Sequence, residues 1–344
     1  MNLAKPVEQK RVATLDGARG LAAMIVVISH AANAELLPAI LGHGFGQTGV
    51  VLFFLISGYL LSDLYLRKPF SIKTVKSYAV RRLARVMPLY LVVLGLAALL
   101  LGFFNLNIYV NANFKYIIQS AFVIRGFSVF WTVPVEMHFY VIFIGLWFFA
   151  ARNRSIHVIL VLLLLQVTLL FFFTRFVSGT NWITYWLHIF LLGVLLSRVK
   201  SFWHTSPLNK GRIRFQNEVT VIVLFLGAIL LPPEVRLSLG LPSSPRYADP
   251  YVIIFLCFFL WQLVNNVSAV SFLGMRAFRL VGTISYSIYI IHIPLLELTK
   301  YLIESKMIPH YFGFLFLLVS TLAVAAFTFL LIERPMIQWA RKIC

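Results

Sequence analysis

The sequence is short of charged residues, and of acidic residues in particular. Only 12% of its 344 residues are charged, with 11 Asp and Glu against 30 Lys and Arg. Because a soluble domain carries about a quarter charged residues, this composition excludes a soluble globular protein. The chain is instead 60% hydrophobic, with 32 Phe residues and a mean hydropathy of +0.89. These values predict an integral membrane protein that crosses the bilayer many times.

Cysteine is also scarce. The chain holds two, Cys257 within an apolar run and Cys344 at the C-terminus. Two such distant thiols form neither a disulfide framework nor a metal cluster, so we predict no metal site. The polar residues 1–17 lack the early apolar region and the small-residue cleavage site of a secretion signal. We therefore expect the first apolar segment to stay in the mature protein.

Long apolar runs predict ten transmembrane helices, since about 20 mostly apolar residues span a bilayer. The predicted spans are 18–34, 48–65, 84–104, 130–150, 156–174, 182–198, 218–232, 250–269, 281–299 and 311–332. The loops between them are too short for a soluble domain, and we find no internal repeat. The predicted fold class is all-α, and residues 1–344 are expected to form a single membrane domain without an appended soluble domain.

The positions of Lys and Arg predict the orientation, because basic residues concentrate in cytoplasmic loops. With the N-terminus inside, 23 of the 30 basic residues fall in inside segments and seven in outside segments. A wrong number of spans would mix the two sets, so the asymmetry supports ten spans with both termini in the cytoplasm. The same rule explains the net charge of +19. We therefore expect the lipid bilayer, and no nucleic acid, as a partner.

Ionisable residues within the predicted spans are few, and each is costly in a bilayer, so they are candidates for function. Arg19 and His30 lie eleven residues apart in the first span, on one helical face and about 16 Å apart along the axis. This spacing suits a ligand with an anionic head at the cytoplasmic mouth and a reactive end deep in the membrane. It fits equally well a packing histidine, with Arg19 extending to the lipid headgroups.

Histidines also occur in later spans. Glu136 lies two residues before His138 in the fourth span, and a carboxylate that meets a neutral histidine in a low-dielectric cavity can relay protons. A structural ion pair is the alternative. In the ninth span His292 precedes Pro294, and a proline frees helix carbonyls beside which a cavity can form. We therefore treat His292, Tyr286 and His138 as candidate cavity-lining residues.

The entry to the third span, YAVRRLARVMPLY, carries Arg81, Arg82 and Arg85 on or near one helical face. Arginine forks match phosphate oxygens, although the positive-inside rule would also place arginines there. In the second span Ser57-Gly58 interrupts an apolar run. This pair fits close helix packing or a substrate contact better than a nucleophilic serine, because no G-x-S-x-G elbow surrounds it.

Six blocks, in this order along nearly the whole chain, resemble the acyltransferase-3 family of bacterial integral-membrane enzymes, which add acyl groups to cell-surface glycans. The blocks are LDGARGLAAMIVVISH, GVVLFFLISGYLL, RRLARVMPLY, WTVPVEMHFY, SYSIYIIHIPL and IERP. The fourth block departs from the family pattern. Many members have two successive acidic residues there, whereas Met137 follows Glu136 in this chain, and His138 stands where glutamine is common.

The resemblance implies that an acyl donor, acetyl-CoA, enters from the cytoplasm and that the acyl group crosses the bacterial inner membrane to a glycan or a lipid-linked sugar. Arg19 and His30 match the family's donor-site and catalytic pair, and Glu136 matches its span-four carboxylate. Arg82 and Arg85 match its cytoplasmic arginine pair. Acyl-CoA is then a co-substrate, and no tightly bound cofactor is expected. We expect no esterase-like domain of the kind that some members append, and we expect the membrane domain to complete transfer either alone or with a glycan-assembly partner.

We therefore expect an O-acetyltransferase in which His30 acts as general base on an acceptor hydroxyl or takes the acyl group itself. Glu136 is expected to orient His30 or to shuttle its proton. The alternative is a proton-coupled secondary transporter that uses His30 and Glu136 as a relay, although its inverted-repeat signature is absent from the sequence. A structural subunit of a polysaccharide export complex would leave the intramembrane charges unexplained.

Overall fold

A computed structural model describes residues 13–152, 158–160, 162–163, 165–166, 182–203, 212–241, 249–265 and 268–344. Within these residues every regular element is helical, which confirms the all-α prediction for them. The α-helices are α1 Ala13–Asn33, α2 Gly46–Tyr65, α3 Ile72–Phe104, α4 Phe114–Ala121, α5 Thr132–Ala150, α6 Ile183–Trp203, α7 Arg212–Leu230, α8 Pro233–Ser238, α9 Pro250–Val264, α10 Arg276–Thr283, α11 Ser285–Glu304, α12 Gly313–Thr328 and α13 Arg334–Ile343. A π-helical segment, Phe329–Glu333, joins the last two.

Six helical stretches are long and apolar enough to cross a membrane, judged by length and composition. They are Ala13–Asn33, Ala39–Tyr65, Ile72–Phe104, Ser128–Ala150, Ile183–Lys200 and His310–Ile343. Two bent helix pairs raise the number to eight when each pair is counted as one span. The predicted seventh span coincides with a shorter apolar helix, Glu218–Leu230, and most of the fifth lies outside the described residues. Ten spans and cytoplasmic termini therefore stay predictions.

The predicted ninth span is not one straight helix. α10 and α11 meet at a bend of 68°, next to the place where α10 crosses α1. A Cβ atom on Gly282 would lie 1.7 Å from the Asp16 carbonyl oxygen, and one on Gly20 would lie 2.8 Å from the Gly282 nitrogen. Only glycine allows backbones to approach this closely. The crossing holds the start of α11 against the half of α1 that carries Arg19.

The Ser57-Gly58 interruption of the second span is a helix-packing site. A Cβ atom on Gly58 would lie 2.1 Å from the Phe190 carbonyl oxygen of α6, and one on Gly193 would lie 2.2 Å from the Leu55 carbonyl oxygen of α2. The Phe190 ring fills the space beside this contact, stacked on Phe54 at a centroid distance of 4.5 Å. The two helices therefore pack almost backbone to backbone, as small residues permit in membrane helices.

The helix α3 has a buried side and an exposed apolar side. Its first turn is capped by Ser71, whose hydroxyl oxygen accepts the Thr74 backbone N–H. Apolar residues exposed on the outer side are Leu91, Val92, Leu96, Leu99 and Phe103. An apolar surface of this extent fits contact with lipid. By contrast α1 is the most enclosed of the apolar helices, packed against α2, α10 and α11, so its side chains point into the protein.

Candidate active site

Most of the candidate residues line three cavities. The arginine cavity has a volume of about 200 Å³ and is lined by Leu64, Tyr65, Lys68, Arg81, Arg82, Arg85, Ile337, Ala340 and Arg341. The central cavity, about 40 Å³, is lined by Arg19, Val50, Phe53, Phe54, Ser57, Thr132, Val133, Glu136, Tyr286 and Tyr289. The histidine cavity, about 510 Å³, is lined by His30, Asn33, Ala34, Glu35, Leu36, Val110, Ile293, Leu296, Glu297, Lys300, Ile303, Glu304 and His310. The two ends of α1 therefore contribute to different cavities.

The arginine cavity is strongly cationic. Five of its lining side chains are Lys or Arg, and none is acidic. The Arg82 guanidinium carbon lies 5.6 Å from the centroid of the Tyr65 ring and 6.0 Å from that of Tyr140. Its Nε is buried without a hydrogen-bond partner among the described residues. Since a buried donor without a partner costs free energy, Arg82 is poised for an anionic ligand.

In the central cavity Glu136 is held by two hydroxyl groups. Tyr140 donates a hydrogen bond to its Oε1 at 2.6 Å, and Ser57 donates one to the same oxygen at 3.1 Å. Arg19 lines the same cavity and interacts electrostatically with Glu136. Because Tyr140 also lies beside Arg82, the carboxylate is connected to the arginine cavity through a single side chain. At about 40 Å³ the central cavity is the smallest of the three cavities.

A second buried carboxylate stands next to this group. Glu333 is 3% exposed and accepts a hydrogen bond from the Ser287 hydroxyl of α11. Arg85 and Arg19 are close enough for their charges to act on it. Glu333 ends the π-helical segment, a rare geometry that often marks functional sites. Two carboxylates thus face two arginines at the junction of the arginine and central cavities.

Behind the histidine cavity, His30 meets the fully buried His292. Nδ1 of His30 lies 3.0 Å from Nε2 of His292, and Nδ1 of His292 lies 2.8 Å from the Tyr289 carbonyl oxygen. Pro294 has no N–H for the carbonyl of Ile290, four residues earlier. The Tyr109 hydroxyl donates to that carbonyl at 2.8 Å.

The Tyr109 ring comes from the loop after α3 and is fully buried. Burial raises the pKa of the Tyr109 hydroxyl well above its usual value, so this group stays protonated and remains a donor.

Residues 12–333 match the acyltransferase-3 model, which is described as an acyltransferase domain. The chain belongs to the acyltransferase-3 family. It is 25% identical over 351 residues to the O-acetyltransferase OatA of Staphylococcus aureus (strain NCTC 8325), covering 93% of this chain and 56% of that protein. A protein of strain COL with a provisional O-acetyltransferase name is 26% identical over 373 residues, with the same coverage. The chain thus spans about half the length of these relatives, and no solved structure matches it.

This membership confirms the resemblance drawn from the six sequence blocks, and most of the residues that those blocks singled out line the three cavities. Arg81, Arg82 and Arg85 share the arginine cavity. Arg19, Ser57, Glu136 and Tyr286 share the central cavity. Tyr286 also donates a hydrogen bond to the Val86 carbonyl oxygen at 2.8 Å, which fixes α11 to α3. His30 lines the histidine cavity.

The sequence reasoning expected Glu136 to lie beside His30, but the structure does not bring these two residues together. Within the described residues the side chain that contacts His30 is His292, and Glu136 is engaged by Ser57 and Tyr140 instead. The physical reason is the length of α1, because Arg19 and His30 are about 16 Å apart and Glu136 lies at the Arg19 level. His292 itself lies behind His30, fully buried, and lines none of the three cavities.

His138 also lies away from the cavities. Its ring is half-buried and interacts with the backbone of Val123. It follows Glu136 by two residues, and successive residues at this spacing point to different sides of a helix. The position of His138 therefore gives no support for a role in acyl transfer.

The positions of several functional candidates had no signal in the sequence. Lys68 and Arg341 complete the arginine cavity, although Arg341 lies 260 residues after Arg81 in the sequence. Glu333 was a candidate as an ionisable residue at the end of the tenth predicted span and as part of the IERP block, but its position beside Arg85 depends on the π-helical segment. Each of these placements follows from tertiary packing, which hydropathy and spacing do not encode.

Proposed function

We propose that the chain is an acyl-CoA-dependent O-acetyltransferase of the bacterial inner membrane, which moves an acetyl group from cytoplasmic acetyl-CoA to a hydroxyl of a cell-surface or exported glycan. The observation that carries this proposal is the contrast between two cavities. One is lined by five cations and no acid, the other by three carboxylates together with His30, His310 and Lys300. The helix α1 contributes His30 to the second cavity and Arg19 to the central cavity. The O-acetyltransferase names of the relatives support the same reaction class.

The arginine cavity would take the phosphates of the donor. CoA carries several phosphate charges, and the guanidinium fork of Arg82 can form paired hydrogen bonds with phosphate oxygens. The positive-inside rule supports the placement of this cavity at the cytoplasmic face, where CoA is available. From there the pantetheine arm would extend past Arg19 and Glu136 toward His30, a distance of about 16 Å along α1.

The histidine cavity would take the acceptor. Three of the chain's 11 acidic residues, Glu35, Glu297 and Glu304, line it together with Asn33. Carboxylate and amide oxygens accept hydrogen bonds from sugar hydroxyls. Lys300 also lines the cavity and pairs with Glu297 at 2.9 Å, which offsets one of the three negative charges, and the remaining negative charge disfavours a polyanion. Glu35 has a φ of 62°, at a helix end where glycine is the common residue, so its side chain is kept at some conformational cost. These features favour an uncharged, hydroxyl-rich ligand.

The transfer step can be written with the residues present. His30 removes the proton from an acceptor hydroxyl while the oxygen attacks the thioester carbonyl. The carbon–sulfur bond breaks, the CoA thiolate leaves, and the proton passes from His30 to that sulfur. A route in which His30 first takes the acetyl group and then passes it to the acceptor gives the same products in two steps. Both routes need the imidazole of His30.

Complementation of a deletion strain tests the proposal. The wild-type gene and variants His30→Ala and His138→Ala are returned to the strain, and mass spectrometry measures O-acetyl groups on its surface glycans. We expect His30→Ala to restore none at equal protein level and His138→Ala to restore the wild-type amount, since His138 lines none of the cavities. Wild-type acetylation by His30→Ala would refute the catalytic role. Glycans that lack no acetyl group in the deletion strain would refute the function.

A further inference from the structure

We propose that His292 is a positioning residue that fixes the proton of His30 on Nδ1, so that the bare Nε2 of His30 is the nitrogen presented to the histidine cavity. The consequence for the rate rests on the proposed function. The assignment of the proton rests only on hydrogen-bond geometry, and can be tested separately.

The first step concerns Nδ1 of His292. It lies 2.8 Å from the carbonyl oxygen of Tyr289 and 3.2 Å from that of Ile288. A carbonyl oxygen can only accept a hydrogen bond, so this nitrogen carries a hydrogen. The carbonyl of Ile290, which Pro294 leaves without its helical donor, does not compete for it because the Tyr109 hydroxyl already donates there.

The second step concerns the charge of His292. The residue is 0% exposed, and its described neighbours are His30, the Tyr289 ring and backbone carbonyls, with no carboxylate in contact. An unpaired ion at such a site would carry a large desolvation penalty. His292 is therefore neutral, and because Nδ1 holds its one hydrogen, Nε2 has a lone pair.

The third step transfers this constraint to His30. Nδ1 of His30 lies 3.0 Å from Nε2 of His292, a distance at which one of the two nitrogens must donate a hydrogen bond. Since Nε2 of His292 cannot donate, Nδ1 of His30 carries the hydrogen. The backbone of Val26, one turn earlier in α1, also interacts with the His30 ring, and a carbonyl there can again only accept. Nε2, on the other edge of the imidazole, is left unprotonated.

This arrangement does the work that a carboxylate does in serine hydrolases, where an acceptor behind the histidine holds the ring and the correct tautomer. Here the acceptor is a neutral imidazole that is itself anchored to helix carbonyls. A bare Nε2 facing the cavity is what a general base or an acyl carrier needs, since the protonated form can do neither. The tautomer is thus set before any substrate binds.

Nitrogen NMR of the detergent-solubilised full-length protein with ¹⁵N-labelled histidine tests the assignment, because protonated and bare ring nitrogens have well-separated shifts. The His30 signals are identified by their loss in His30→Gln. We expect a protonated Nδ1 and a bare Nε2 in the wild type. The opposite pattern, or a rapidly averaged one, would overturn the proposal whatever the enzyme's activity.

Two variants then separate positioning from packing. His292→Gln keeps an acceptor oxygen near the position of Nε2, whereas His292→Leu fills the space without one. We expect His292→Gln to keep the His30 pattern and most of the acetylation, and His292→Leu to lose about 10²–10⁴-fold in rate, the usual contribution of a general base. If the side chain of His292 only fills space, His292→Leu should acetylate faster than His292→Gln. That result would refute the positioning role. His138→Gln is the matched control, with unchanged His30 signals and activity expected.

Discussion

At the scale of residues, the candidate site divides into groups that lie in different cavities. Arg19 and Glu136 lie together in a cavity of about 40 Å³, and His30 lies in another. The Glu136 carboxylate therefore lies with Arg19 rather than beside His30. Its hydrogen bonds from Tyr140 and Ser57 satisfy one oxygen and hold it beside Arg19. Under the proposed function, this arrangement suits Glu136 for charge balance beside Arg19 and leaves orientation of His30 to His292.

The donor end yields a prediction about binding. Replacing both Arg82 and Arg85 by Ala should remove most of the stabilisation that CoA confers, since two phosphate-binding forks are lost. A ligand at 100 times its Kd stabilises a protein by about 2.7 kcal/mol, enough to detect as a shift of the melting temperature. The measurement is a thermal unfolding scan of the purified protein with and without CoA.

The control for this experiment is the double variant Arg276→Ala, Arg279→Ala, which removes the same charge from exposed positions that line none of the three cavities. It should keep the full CoA shift. An undiminished shift in the Arg82, Arg85 variant would show that CoA binds elsewhere.

At the scale of elements, close helix contacts decide where the site residues lie. Gly58 brings α2 against α6, and the neighbouring Ser57 thereby points its hydroxyl at Glu136. The replacement Gly58→Ala should destabilise the protein by about 1–3 kcal/mol, because its Cβ would meet the Phe190 carbonyl oxygen at 2.1 Å. The melting temperature in detergent measures this loss. Gly95→Ala, where nothing lies within 4 Å of the new atom, should leave it unchanged or slightly raised.

The proline in α11 gives a prediction about two residues together. Tyr109→Phe leaves the buried Ile290 carbonyl without its donor, which should cost about 1–3 kcal/mol of stability. In a Pro294→Ala background the same change should cost less, because an alanine N–H can donate to that carbonyl. A double-mutant cycle on unfolding free energies measures the coupling. Equal costs in both backgrounds would show that the hydroxyl does not serve the carbonyl freed by Pro294.

Sequence reasoning did well where a single helix carries the information and poorly where two helices meet. The one-face relation of Arg19 and His30 and the arginine cluster of α3 follow from 3.6 residues per turn. The meeting of His30 with His292, 262 residues apart, does not, and neither does the bend between α10 and α11. The glycines at that bend were visible in the sequence, but a glycine does not name the helix it will touch.

At the scale of the whole molecule, the orientation predicted from charge can be tested with a native residue. Cys344 is exposed at the C-terminus and is predicted to lie in the cytoplasm. In a Cys257→Ala protein, a membrane-impermeant maleimide should label Cys344 only after spheroplasts are permeabilised. Mass shift of the purified protein measures labelling.

A second cysteine provides the opposite expectation. Lys306→Cys, placed in a cysteine-free background, lies in a loop predicted to face outward and should be labelled in intact spheroplasts. Labelling of Cys344 without permeabilisation would reverse the topology and place the arginine cavity on the wrong side for CoA. Protection of both sites would change the number of spans between them.

The central cavity has a consequence for the membrane potential of the cell. A continuous polar passage between a cytoplasmic cavity and an outward one would conduct protons and dissipate the membrane potential, a loss of about 2.3 kcal/mol for each charge that crosses 100 mV. The rings of Phe53, Phe54 and Tyr289 border the central cavity and would close such a passage when no donor is bound there. Substitutions that enlarge this cavity should therefore increase proton leakage and slow growth, even in cells that still acetylate normally.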